Sequence, residues 1–160
     1  MSRNSNSYIC VALQNSVKDL LYNYASDVSK YNPTFKVMDK EDLHMTFIFL
    51  GSNKKYKEIQ NINNIVITHN TNINTFCFKS ICPELFPPTK QNLLIVKFQS
   101  SDTVNLIRKQ LVTQLGVQDT EFIPHITLGK FVGKVEKRNL PDFTSINFMS
   151  DSLILHNPYF

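Results

Sequence analysis

"DLHMTFIFLG" (residues 42–51) places a histidine and a threonine two positions apart inside an otherwise apolar run. In an extended strand alternate side chains share a face, so His44 and Thr46 point one way while Met45 and Phe47 point the other. "FIPHITLGKF" (122–131) repeats the arrangement, with His125 and Thr127 on one face and Ile126 and Leu128 on the other. A threonine alone would be a β-propensity choice, and a lone strand histidine is most often structural. The same two-residue offset in two apolar strands of a chain with only four histidines favours a site.

Working outward, each of these strands follows a strand and a helix. "SYICVALQ" (7–14) has strand character, and Val17, Leu20, Leu21, Tyr24, Val28 and Tyr31 predict a helix over 16–31, capped by Asn15 or Ser16 with Asp19 in its first turn. "TFKVMDK" (34–40) leads into the first motif strand, which Gly51 closes, and Tyr56, Ile59, Ile62 and Val66 predict a second helix from Lys54 to about Thr68. "INTFCFKSI" (73–81) and "NLLIVKFQ" (92–99) read as strands around a loop containing Pro83, Pro87 and Pro88. A helix over 102–115 follows, with Asp102 as cap and Gly116 at its end, then the second motif strand, and finally a strand or strand pair over 144–156. Strand, helix and His-x-Thr strand thus occur twice. A pseudo-twofold relation between two such lobes sets their polar faces opposite each other across a groove.

At 160 residues the chain suits a single domain, 1–160, made of two lobes and not of two independent domains. A net charge of +4 permits a phosphate-bearing partner and is far below that of a dedicated duplex-DNA binder. Cys10, Cys77 and Cys82 are odd in number and lack C-x-x-C spacing, which points to a reducing, cytoplasmic setting and to no metal centre. No run approaches the roughly 18 apolar residues of a membrane span, so no membrane partner is expected. A monomer is expected.

"LHMTFIFLG" and "PHITLGK", with the order of elements around them over roughly residues 7–156, resemble the two signatures of the 2H phosphoesterase superfamily, the LigT-like cyclic phosphodiesterases. The resemblance implies an α+β, bilobal fold with two antiparallel sheets lining a central cleft and helices outside, and metal-independent, cofactor-free cleavage of phosphodiesters in nucleotides or RNA ends. It implies a basic contact near Lys130, three residues after Thr127. The chain departs from several relatives in lacking a basic residue directly before the aromatic of its first strand, unless Arg3 serves, and in the short connection "VGKVEKRNLPDF" (132–143).

The chemistry agrees with this. Metal-free cleavage of a phosphodiester needs a base for the attacking oxygen, an acid for the leaving oxygen, and donors for the charged oxygens of the transition state. Histidine titrates near about 6.5 and can fill either proton-transfer role near neutrality, while threonine hydroxyls can donate to nonbridging oxygens. His44, Thr46, His125 and Thr127 are therefore the catalytic candidates, with His44 as base and His125 as acid. Lys130, Tyr8, Phe49, Phe131 and Tyr159 are the substrate-binding candidates, the aromatics being core residues first and base-stacking residues second, as is Phe160. His69 reads as solvated, His156 as structural or exposed with the cleft border as its other reading, and Lys54, Lys55 and Lys57 as a solvated helix start.

Three arginines, Arg3, Arg108 and Arg138, weigh against long RNA. The favoured substrate is a small 2′-linked nucleotide, such as a 2′-5′-oligoadenylate or the cyclic dinucleotide 2′,3′-cGAMP, whose removal would antagonise a host immune messenger. The alternatives are an enzyme acting on RNA-end 2′,3′-cyclic phosphates and a non-catalytic nucleotide-binding module.

Overall fold

The second His-x-Thr segment opens a strand, and the first starts one residue before one, in the computed structural model, which describes residues 6–71, 75–133 and 139–159. β1 (Ser7–Val11), α1 (Asn15–Tyr31), β2 (Phe35–Val37) and a 3-10 turn (Lys40–Asp42) lead to β3 (Met45–Gly51). α2 (Tyr56–Thr71), β4 (Phe76–Phe86), β5 (Leu93–Ser100) and α3 (Asp102–Leu115) lead to β6 (His125–Phe131), and β7 (Asn147–Ser150) and β8 (Leu153–His156) follow. The duplicated units are β1-α1-β3 and β5-α3-β6. Arg3, Arg138 and Phe160 lie outside the described residues.

The strands pair antiparallel in the order β7-β4-β5-β6-β3-β1-β8, with β2 also on β6. The two expected sheets are thus β8-β1-β3 and β7-β4-β5-β6, joined at one residue pair, Met45 with Ile126. Two features confine the junction to that pair. β2 occupies the edge of β6 from Gly129 to Phe131, and Pro124, just before β6, has no N–H with which to extend the ladder. Beyond the junction β3 and β6 are not paired. β7 and β8 are separated only by Asp151 and Ser152 yet lie at opposite ends of the strand order. The sheet must therefore curl into a half-barrel to bring its ends together.

The face of the sheet against which the helices pack carries the core. Val17, Leu21, Tyr24, Ala25 and Val28 of α1 and Val104, Leu111 and Val112 of α3 join one apolar cluster with Met45, Phe47, Leu94, Val96, Ile126 and Leu128. Three local expectations change. Gln14 takes the N-cap of α1 without a side-chain hydrogen bond, and Asp19 instead pairs with Lys40 at 2.7 Å. Ser101, not Asp102, caps α3, its hydroxyl accepting from the Val104 N–H at 3.2 Å. Pro83 lies inside β4, at a register irregularity between Ser80 and Pro83 where its missing N–H is tolerated, so only Pro87 and Pro88 belong to the loop.

Candidate active site

β3 and β6 bury their residues in the same sequence. His44 and Thr46 are half-buried, Met45, Phe47, Ile48 and Leu50 are buried, and Phe49 is exposed; His125, Thr127, Ile126, Leu128, Gly129, Phe131 and Lys130 follow suit. Two adjacent buried residues break strict alternation, and a register shift accounts for each. β1 sets Ile9 against Ile48 but Cys10 against Thr46, and β5 sets Leu94 against Gly129 but Ile95 against Thr127. Phe47 and Leu128 are therefore extra residues, an equivalent bulge in each motif strand, and each reverses the phase of the side chains beyond it; β3 has a second shift at Leu50, where β1 sets Ser7 against Gly51 but Tyr8 against Phe49. Five residues after its histidine, each strand returns a side chain to the cleft face: Phe49, which is 59% exposed, and Lys130.

Carried one residue to either side of the Met45–Ile126 pair, the antiparallel register sets His44 across from Thr127 and Thr46 across from His125. The histidines are then diagonal neighbours across the seam, on the face that carries both threonines. Both imidazoles are held alike. The Nδ1 of His44 lies 2.8 Å from the Asp42 carbonyl oxygen, and that of His125 lies 2.7 Å from the Ile123 carbonyl oxygen. A carbonyl only accepts, so each Nδ1 carries the proton and donates, leaving each Nε2 to take or give one. Beside the threonines, Cys10 and Ile95 are buried outside the main apolar cluster and floor the cleft. Burial pushes the Cys10 thiol up to about 12, so it stays protonated and is not a nucleophile.

The two flanks of the cleft differ in charge. On the His44 side Tyr8 stacks on His44 at 5.2 Å between ring centroids and on His156 at 4.5 Å. These rings border a pocket of about 430 Å³ whose lining includes Lys18, Glu41 and Asp42. Burial, then Cys10 and Asp42, raise the Tyr8 hydroxyl above its ordinary range, and it stays neutral. On the His125 side the ring of Phe86 lies 6.1 Å from His125, and Lys97 sits across from His125 in the ladder, its Nζ 2.9 Å from Glu84. Lys36 is set directly across from Lys130, and both are exposed. Like charges in that position repel, a cost that a bound anion removes.

The structure thus brings together His44, Thr46, His125 and Thr127, with Tyr8, Phe49 and Lys130 on the same face. It does not bring Phe131 or Tyr159 to them. Phe131 is 2% exposed and packs on Phe35 at 4.7 Å, because the Leu128 bulge turns it to the core. Tyr159 lies over the start of α2, edge-on to Tyr56 at 5.5 Å, its hydroxyl donating to the Lys54 carbonyl at 3.4 Å. His156, read first as structural, borders the pocket. His69, read as solvated, lies half-buried on α2, and its Nε2 is buried without a hydrogen-bond partner among the described residues.

Sequence reasoning missed Lys36, Lys97 and Arg108. A polar residue inside the apolar run "LLIVKFQ" marks Lys97, but nothing local marks Lys36. Arg108 is buried on α3; it donates to the Phe47 carbonyl at 2.8 Å and the Thr120 carbonyl at 3.1 Å, and its guanidinium lies over the Phe122 ring at 4.9 Å. It ties the bulge of β3 to the segment that enters β6. Among the described residues no three His, Cys, Asp or Glu side chains gather as a metal-binding group, and no helix is long and apolar enough to cross a membrane.

No family model matches the chain, and no curated protein matches it significantly in sequence. Solved structures do match in fold. TT0787 of Thermus thermophilus superposes with a TM-score of 0.71 at 17% identity, covering 94% of this chain and 86% of that one. E. coli LigT complexed with 3′-AMP gives 0.70 at 14% identity, covering 99% and 90%. The MHV ns2 PDE domain gives 0.64 at 15% identity, covering 95% and 99%. The α+β half-barrel of this chain is the LigT-like fold expected from the paired signatures.

Proposed function

We propose that the chain is a metal-independent phosphodiesterase of the 2H type that cleaves small 2′-linked nucleotides. The observation that carries this reading is the junction of β3 and β6, where two His-Thr pairs flank one residue pair and both imidazoles are fixed as Nδ1–H tautomers. In the proposed reaction the phosphodiester sits between the histidines. His44 Nε2 removes the proton of the attacking hydroxyl, that oxygen bonds to phosphorus, and the bond to the leaving oxygen breaks as protonated His125 delivers its Nε2 proton. The hydroxyls of Thr46 and Thr127 donate to the nonbridging oxygens as charge grows on them. Lys130 and Lys36 draw the phosphate to this flank, while Tyr8 and Phe49 offer rings to a base.

A small substrate is supported by the solved complexes of LigT, a fold neighbour, with 3′-AMP, ATP and NADP+. A 2′-5′-oligoadenylate and 2′,3′-cGAMP both place a free ribose hydroxyl beside the phosphorus, where proximity favours internal attack. Removal of such a messenger would end the immune signal it carries. All four catalytic side chains come from one chain, so a monomer suffices, and three free cysteines, two of them exposed, suit a reducing cytoplasm.

The test is the rate on a 2′-5′-linked adenylate dimer, in EDTA, against the same dimer with the neighbouring hydroxyl methylated. Rapid cleavage of the first and none of the second is expected. Equal rates would replace internal attack with water as nucleophile and favour an enzyme of RNA-end cyclic phosphates; loss of activity in EDTA, restored by a divalent ion, would overturn the metal-free mechanism.

A further inference from the structure

We infer that the pocket beside His44 is a base subsite selective for guanine, a deepening that rests on the phosphodiesterase reading above. Its volume of about 430 Å³ is sufficient for a purine. One boundary is aromatic, the continuous stack of His156, Tyr8 and His44, in which the exposed outer ring, His156 on the edge strand β8, offers a face to a base. The charged side chains of the lining are one donor and two acceptors: the Lys18 ammonium from α1 and the carboxylates of Glu41 and Asp42 from the 3-10 turn. An ammonium only donates and a carboxylate only accepts.

The base edges decide between purines. Guanine presents an acceptor, O6, followed by two donors, N1–H and the N2 amino group, which match Lys18 and the two carboxylates. Adenine presents a donor at N6 and an acceptor at N1, leaving a carboxylate facing a lone pair. Charge also assigns the rest of the ligand. Glu41 and Asp42 repel phosphate, whereas Lys36 and Lys130 lie on the His125 flank, where Lys97 is already paired with Glu84. A nucleotide therefore lies with its base against the His156 end of this stack and its phosphate toward β6, across the catalytic pairs.

The experiment is calorimetric titration of the whole protein with 3′-GMP, 3′-AMP and 3′-IMP, repeated on a Glu41→Gln/Asp42→Asn double variant, on Lys18→Met and on His156→Ala. Wild-type protein is expected to bind 3′-GMP about tenfold more tightly than 3′-AMP, the scale of a two-donor base contact. 3′-IMP, which lacks the N2 amino group, should fall between them. The double variant and Lys18→Met should each lose the preference, while His156→Ala weakens all three ligands without changing their order, since stacking accepts every base. Equal affinities in the wild type, no measurable binding, or an unchanged preference in both acidic and Lys18 variants would overturn the subsite. No turnover enters this measurement, so a failed catalytic reading shows separately, as histidine variants that cleave normally.

Discussion

At the scale of single residues, the threonines carry a sharper expectation than their β propensity suggests. Each lies across from the other strand's histidine, where in the proposed reaction its hydroxyl serves only once charge develops on the nonbridging oxygens. Thr46→Val and Thr127→Val should each lower kcat by about 10²-fold with KM little changed, the range for losing one transition-state donor; steady-state kinetics on the adenylate dimer separates the two parameters. His69 gives a second expectation, in stability. Burial lowers its pKa, so the folded state favours the neutral ring and the unfolded chain binds more protons below about 6.5. Stability should therefore fall as pH drops through that value, and the loss in melting temperature between pH 7.5 and 5.5 should be smaller in His69→Gln.

At the scale of elements, the bulges at Phe47 and Leu128 decide which side chains turn to the face of the His-Thr pairs. Period-two reading from the histidines places His44, Thr46, His125 and Thr127 correctly, because they precede the bulges. Beyond them it fails: Phe49 and Lys130 fall on the wrong face, and Phe131 would come out as a cleft residue when it is core. A bulge is set by the register of a partner strand distant along the chain, β1 for the first motif strand and β5 for the second; no local pattern encodes it. The same holds for Lys36, which β2 brings to Lys130. It holds too for Gly129, where a Cβ would collide with the Lys36 carbonyl and the Phe35 ring. Arg108 reads as an ordinary polar helix position until α3 is packed on β3. Arg108→Met leaves the Phe47 and Thr120 carbonyls without their donor and should cost about 2–4 kcal/mol in urea unfolding. Because the lost contacts lie beside both motifs, kcat should fall as well.

At the scale of the whole molecule, two lobes joined through a single sheet pair place four side chains from distant segments at one seam. The duplicated strand-helix-strand order made this architecture legible, as the repeated motif made its four central residues legible. The joining of both lobes into one curled sheet was not, since it depends on β7 and β8 parting to opposite edges after two intervening residues. If the seam is a catalytic centre, neither histidine can substitute for the other, because one must accept a proton while the other gives one. Both reach solvent from the cleft and neither belongs to the apolar cluster, so truncation should leave the fold intact. The most direct measurement is the single-turnover rate of His44→Ala and of His125→Ala on the 2′-5′-linked adenylate dimer, with melting temperature followed in parallel. Each variant is expected to melt like the wild type and to cleave at least about 10³-fold more slowly; a folded variant that cleaves at the wild-type rate would contradict the assignment.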